Sequence, residues 1–244
     1  MTLPLDIHQD GRLLRIRFAR TEDCGVSDSM AVALADAVLN AHTTSDAVLL
    51  SSAGADFCTG RVRDAGQPPS AEAYARRPEY DPVFNSYKAL RSAQVPVVCA
   101  VEGRAMGLGT AVAALCDVAF ASDTARFNIP EIEHNVMPTM VMSALYDRMN
   151  RNAILWMAYS AEFIDAQRAL AFGIVNHVVP AARLNEEVER FCSVLLKRPR
   201  PAILGLKEYL RVAPRMDEQG AIDYARSLHS MVNTAAAMKR PAHG

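Results

Sequence analysis

The chain has 244 residues, half of them hydrophobic, and a formal net charge of −1. That length can bury a substantial core in one domain, or in one domain plus an extension. The near-neutral charge excludes a broad nucleic-acid footprint, which needs a basic face, and no apolar run approaches the length of a membrane span.

The opening stretch "MTLPLDIHQDGRLLRIRFAR" lacks a basic segment followed by an apolar one, so no signal peptide is expected. Within it, "LDIHQDGRLLRIRFAR" reads as a strand pair around an Asp10-Gly11 turn. Ser27 stands where an N-cap belongs, and apolar residues at helical spacing predict a helix over about 28–41. "DAVLLSS" reads as a buried strand, followed by a glycine- and proline-bearing loop, "AGADFCTGRVRDAGQPPS". A helix is predicted over about 80–93, then strands at "VPVVCAV" and "DVAFAS". "ARFNIPEIEHN" reads as extended and loop-like. After 139 the pattern turns mostly helical, interrupted by a short strand in "GIVNHVVP". From Pro180 onward the reading is of helices broken by "KRPRP" and "VAPRM". Alternating strands and helices imply an α/β core with right-handed crossovers.

The cysteines (Cys24, Cys58, Cys99, Cys116 and Cys192) are odd in number, far apart, and contain no C-x-x-C pair. This speaks against a disulfide framework or a structural zinc, and suits a cytoplasmic protein with reduced thiols. Cys99 and Cys116 lie in apolar runs and read as small core residues.

The stretch "CAVEGRAMGLGTAVAALCD" carries glycines at 103, 107 and 109. The spacing occurs in short-chain dehydrogenases, but there it follows the first strand, and a tyrosine with a lysine four positions later is also needed. None of the tyrosines has that lysine; Tyr87, for example, is followed by Arg91. A glycine motif without its context is weak evidence for a nucleotide. A glycine-lined helix start after a strand is more generally an anion-binding device, because its first N–H groups lack internal partners. It serves equally an oxygen that gains charge during a reaction. "GADFCTGRV" makes a second such turn, reaching Gly60. Two turns on neighbouring strands can aim two N–H groups at one oxygen.

"SSAGADFCTGRVRD", "PVVCAVEGRAMGLGTAVAALCDVAFASDTARFNIPEI" and "SAEFIDAQRALAFGIVNHVVP" together resemble three blocks of the crotonase (enoyl-CoA hydratase/isomerase) superfamily, in its order and at its separations. The resemblance covers most of residues 5–180. It implies a crotonase-like ββα spiral core over 1–180, with a C-terminal helical oligomerisation segment over 181–244. It also implies an acyl-CoA substrate, no cofactor beyond the coenzyme A of that substrate, and a homotrimer or dimer of trimers. No metal, nucleic acid or membrane is implied.

Carried over by position, the main-chain N–H groups of Arg61 and Leu108 hold the thioester oxygen, and Glu131 moves protons as general acid/base. Gly25, Val26, Cys58, Gly60, Gly107 and Gly109 fall where the family lines its substrate and CoA site. The first of the family's two glutamates falls on Ala111, a departure that removes concerted water addition by two carboxylates. Proton shuttling between carbons remains, as in enoyl-CoA isomerases; some single-glutamate members still hydrate. Glu133, His134 and Thr139 are possible accessory groups. The Arg61 side chain either faces solvent or Asp64, or neutralises an acidic substrate group or a CoA phosphate. The run from Val62 to Tyr80 is a candidate lid. Tyr146, Trp156, Met157 and Tyr159 read as core or interface packing.

Overall fold

A computed structural model describes residues 5–18, 24–63 and 71–239. The chain opens on β1 (Leu5–Asp10) and β2 (Leu13–Phe18), an antiparallel pair around the Asp10-Gly11 turn. The short β3 (Val26–Ser27) leads into α1 (Asp28–Asn40). The Ser27 hydroxyl caps that helix by accepting from the Met30 N–H at 3.2 Å, which satisfies one of the helix's orphan donors. Then come β4 (Ala47–Ser52), β5 (Arg61–Val62), α2 (Asp81–Ser92), β6 (Val97–Val101), β7 (Arg104–Met106) and α3 (Leu108–Leu115). β8 (Val118–Ser122) and β9 (Arg126–Asn128) precede a 3-10 turn at Glu131–His134. The remainder is α4 (Thr139–Leu145), α5 (Arg151–Ser160), β10 (Ile164–Asp165), α6 (Ala166–Phe172), β11 (His177–Val179), α7 (Leu184–Leu196), α8 (Arg200–Val212) and α9 (Glu218–Asn233).

The main sheet runs β1-β2-β4-β6-β8-β11, parallel from β2 onward. Side chains alternate across its faces, as the strand period demands. Leu14, Ile16, Val48, Leu50, Val97 and Cys99 face the larger core. Leu13, Leu49, Val98, Ala100 and Phe120 face the other side, where Leu184, Val188 and Cys192 of α7 cover them. α8 and α9 pair with each other, leaving Leu206, Leu210 and Met231 exposed.

A small parallel β7-β9 pair, extended antiparallel by β10, sits beside the main sheet, and β3 pairs with β5. α3 is buried along its whole length, which its Ala-rich sequence permits because small side chains allow close approach on all sides.

"ARFNIPEIEHN" is only half extended. β9 accounts for the first part, but Glu131–His134 forms a 3-10 turn after Pro130. Asn135 closes the turn in the left-handed region (φ +55°), which asparagine tolerates. None of the five cysteines is in a disulfide; four are buried, and Cys24 is half-buried. Of the four residues read as packing, Met157 is buried, Trp156 is half-buried under the Arg168 guanidinium, and Tyr146 and Tyr159 are exposed.

Candidate active site

The run from Cys58 to Val62 is held from both sides. On one side the Cys58 N–H donates to the Arg104 carbonyl (3.1 Å), and its carbonyl accepts from Met106 (2.8 Å). On the other, the Thr59 N–H donates to the Cys24 carbonyl (3.1 Å) and the Gly60 carbonyl accepts from Val26 (2.9 Å). A trans peptide points its C=O and N–H in opposite directions. With the Gly60 carbonyl committed to β3, the Arg61 N–H is turned away from β3. Cys24 and Val26 thus form the outer support of this run, with Gly25 between them in sequence.

The second donor follows from the start of α3. The Gly107 carbonyl accepts from Ala111 (3.0 Å), so the Leu108 N–H points back out of the helix, at its positive end. Gly107 adopts φ +49° and ψ −105°, a conformation open to glycine. A Cβ at Gly107 would collide with Glu131 Oε1. A Cβ at Gly109 would lie 2.5 Å from the Cys58 carbonyl oxygen. The two glycines therefore let three segments meet: the Cys58–Val62 run, the start of α3, and the 3-10 turn carrying Glu131.

Glu131 is half-buried. Burial pushes its carboxyl above the ordinary value of 4.5, partly opposed by its own main-chain N–H and by His134. Its Oε2 is buried and has no hydrogen-bond partner among the described residues. Burial likewise pushes the Cys58 thiol up to about 12, so it stays protonated. Glu133, His134 and Thr139 are exposed. In a 3-10 turn residues three apart eclipse, so His134 shares the Glu131 edge and Glu133 does not. Ala111 is fully buried one turn into α3 and offers only a methyl group.

The Arg61 side chain has a structural partner that lies outside both sequence readings. Its guanidinium binds Asp28 through Nε (2.7 Å) and Nη2 (2.8 Å), and donates to the Glu79 carbonyl (2.7 Å). Asp64, one candidate partner, lies outside the described residues, as does most of the first half of the candidate lid.

Sequence reasoning missed two residues. Asp28 is distant in sequence from Arg61. Tyr87 lies on α2 and is buried with its hydroxyl unpartnered among the described residues. Its phenol is pushed up by burial, and further by Cys58 and Glu131. A helical tyrosine in sequence carries no mark that separates it from ordinary packing. Among the described residues, no group of three or more His, Cys, Asp or Glu side chains could hold a metal ion, and no helix is long and apolar enough to cross a membrane.

The enoyl-CoA hydratase/isomerase family profile matches residues 9–243. The chain belongs to that family. Its fold is that of the crotonase superfamily. The structure of an enoyl-CoA hydratase from Mycobacterium smegmatis matches with TM-score 0.88 at 26% identity, over 96% of this chain and 93% of that one. The structure of human enoyl-CoA hydratase domain-containing protein 3 shares the fold at TM-score 0.89 and 23% identity, over 96% of this chain and 94% of that one.

In sequence, this member of the enoyl-CoA hydratase/isomerase family is 26% identical over 228 residues to a carboxymethylproline synthase of Pectobacterium carotovorum, covering 93% of this chain and 87% of that relative. It is 30% identical over 144 residues to a 2,3-dehydroadipyl-CoA hydratase of Escherichia coli, covering 59% and 56% respectively. It is 33% identical over 127 residues to the human mitochondrial enoyl-CoA hydratase domain-containing protein 3, covering 52% and 42%. The match thus spans about half the length of the last two relatives.

Proposed function

We propose that this chain is an enzyme acting on acyl-CoA thioesters, with chemistry of the enoyl-CoA hydratase/isomerase type and Glu131 as its single general acid/base. The observation that carries the reading is the contact of the Glu131 carboxyl with Gly107, at the mouth of α3. It sets a proton carrier beside the helix-start N–H of Leu108, and Gly109 brings the run bearing the Arg61 N–H against the same helix. The family membership and the named hydratase relatives support the substrate class.

In this reading the thioester oxygen sits between the Arg61 and Leu108 N–H groups. Glu131 takes a proton from the carbon next to the thioester. The electron pair flows onto the oxygen, and the two donors hold the resulting enolate, each lowering the barrier by about 3 kcal/mol. Return of the proton to another carbon completes an isomerisation. For hydration, Glu131 takes a proton from water as oxygen bonds to C3, then delivers it to C2. The raised proton affinity of Glu131 suits both directions of transfer near neutral pH. Gly25, Val26, Cys58 and Gly60 line the approach, and the coenzyme is carried by the substrate. Assembly as a homotrimer or dimer of trimers through residues 181–244 belongs to the same proposal; the exposed Leu206, Leu210 and Met231 support it.

Ala111 favours a second reading, in which the chain holds acyl-CoA with little turnover. Other thioester chemistry on this scaffold, such as hydrolysis, lysis or decarboxylation, falls between the two. Incubation with crotonyl-CoA and a 3-enoyl-CoA in heavy water separates them. Deuterium at C2 that vanishes in Glu131→Gln, with acyl-CoA binding intact, is the expected result. Binding without exchange would leave the ligand-holding reading in place.

A further inference from the structure

One carbonyl oxygen ties together the two halves of the proposed machinery. At the end of β9 the Asn128 carbonyl accepts from the Gly107 N–H (3.0 Å), just ahead of the Leu108 donor, and from the Thr110 hydroxyl (2.9 Å). The same hydroxyl donates to the Ala105 carbonyl of β7 (2.8 Å), so its single hydrogen is shared between two strands. A threonine hydroxyl inside a helix ordinarily turns back to a carbonyl three or four residues earlier. Thr110, fully buried on α3, reaches out of its helix instead. α3 starts at Gly107 without a side-chain cap, so the hold on its first turn rests on these contacts. β9 is itself anchored, since Asn128 Nδ2 donates to the Ala161 carbonyl just past α5 (3.3 Å). From Asn128 the chain passes through the buried Ile129 and the conformationally restricted Pro130 directly to Glu131.

We propose that Thr110 is a positioning residue, whose hydroxyl fixes the Leu108 N–H relative to Glu131. This rests on the acyl-CoA reading above and names the group that keeps donor and base in register. The Leu108 N–H lies in the peptide plane that follows Gly107, and that plane turns with the Gly107 ψ. Gly107, at φ +49° and ψ −105°, has no Cβ to restrict such a turn. Without the Thr110 hydroxyl, the Gly107 N–H still pairs with Asn128 and β9 stays in place. The rest of the first turn of α3 is then released to pivot about Gly107, and the donor turns with it. In this role Thr110 needs no contact with the substrate and moves no proton.

Thr110→Val keeps the shape of the side chain and removes the hydroxyl. Thr110→Ser keeps the hydroxyl and loses the methyl, and Thr110→Ala loses both. For each full-length chain, deuterium exchange at C2 of saturating butyryl-CoA is measured beside butyryl-CoA affinity by calorimetry and the melting temperature. The valine and alanine variants are expected to exchange about tenfold more slowly than wild type with affinity held, since a shift of about 1 Å can cost about 100-fold and this pivot is smaller. The serine variant is expected to exchange at the wild-type rate while melting lower, because it too has lost a buried methyl. Wild-type exchange in the valine or alanine variant, a serine variant as slow as alanine, or a loss that lies in affinity rather than in the saturated rate overturns the proposal. Exchange that simply follows melting temperature across the three variants marks Thr110 as packing. If the valine variant does not fold, the serine and alanine variants, which differ by one oxygen, decide alone. If wild type neither binds butyryl-CoA nor exchanges, the acyl-CoA reading falls and this inference with it. Exchange in wild type, with serine and alanine variants equal, removes Thr110 alone.

Discussion

Replacing Gly109 by alanine tests the geometry of the site without touching a side chain that does chemistry. The added methyl would lie 2.5 Å from the Cys58 carbonyl oxygen and 2.9 Å from its Cβ. Reaching ordinary contact requires the α3 start and the Cys58 run to separate by about 0.9 Å, and a misplacement of about 1 Å can cost about 100-fold in rate. Neither partner yields easily. Cys58 is tied to Arg104 and Met106, and α3 is buried along its length. Stability should move much less. Alanine gains about 1 kcal/mol of helix propensity over glycine, against an overpacking cost of about 1–3 kcal/mol. A melting temperature within roughly 8 °C of wild type is expected, at about 2–4 °C per kcal/mol for a chain of this size. The assay is deuterium incorporation at C2 of butyryl-CoA, run well below the melting temperature. An exchange rate within threefold of wild type would refute the argument that these segments must touch for the donors to act together.

Other outcomes follow from the same structure. Glu131 has a folded-state proton affinity raised by burial, so its ionisation costs stability once the pH passes its ordinary value of 4.5. Glu131→Gln should therefore melt above wild type, by a margin absent at pH 4 that grows through the raised value and then levels; a margin independent of pH would sink this. Exchange in wild type should fall on acidification at a pH above that of an ordinary glutamate, since the carboxylate is the working form. Arg61→Met keeps the main-chain donor but strands Asp28. It should cost about 1–3 kcal/mol of stability, seen as a lower melting temperature, while exchange persists. Loss of exchange in a folded Arg61→Met would give the side chain a direct part in the chemistry.

The strands of the main sheet were legible because burial imposes an apolar signature on them. "DAVLLSS" and "VPVVCAV" are bounded by turn residues, and Ser27 marks the start of α1. The two-residue strands β3 and β5 were not, since such short pairings are set by neighbouring backbone rather than by side-chain pattern. The 3-10 turn at Glu131–His134 carries no apolar period, so its sequence looks extended. The glycines announced a site, but what they accommodate came only from tertiary contact. Arg61 and Asp28 are brought together by the pairing of β3 with β5, and Tyr87 is carried into the core by the packing of α2 beside α3. Long-range encounters of this kind leave no local trace.

The helix α3 has no wet side. An ordinary surface helix can absorb a bulkier neighbour by tilting its apolar stripe while its polar flank moves through solvent. This one is walled in on every side, so pressure applied near Val112 or Leu115 is transmitted along its axis to the end that lies against Glu131. Conservative enlargements deep in the interior, far from any reacting atom, should for that reason register first as slower turnover and only later as lost cohesion.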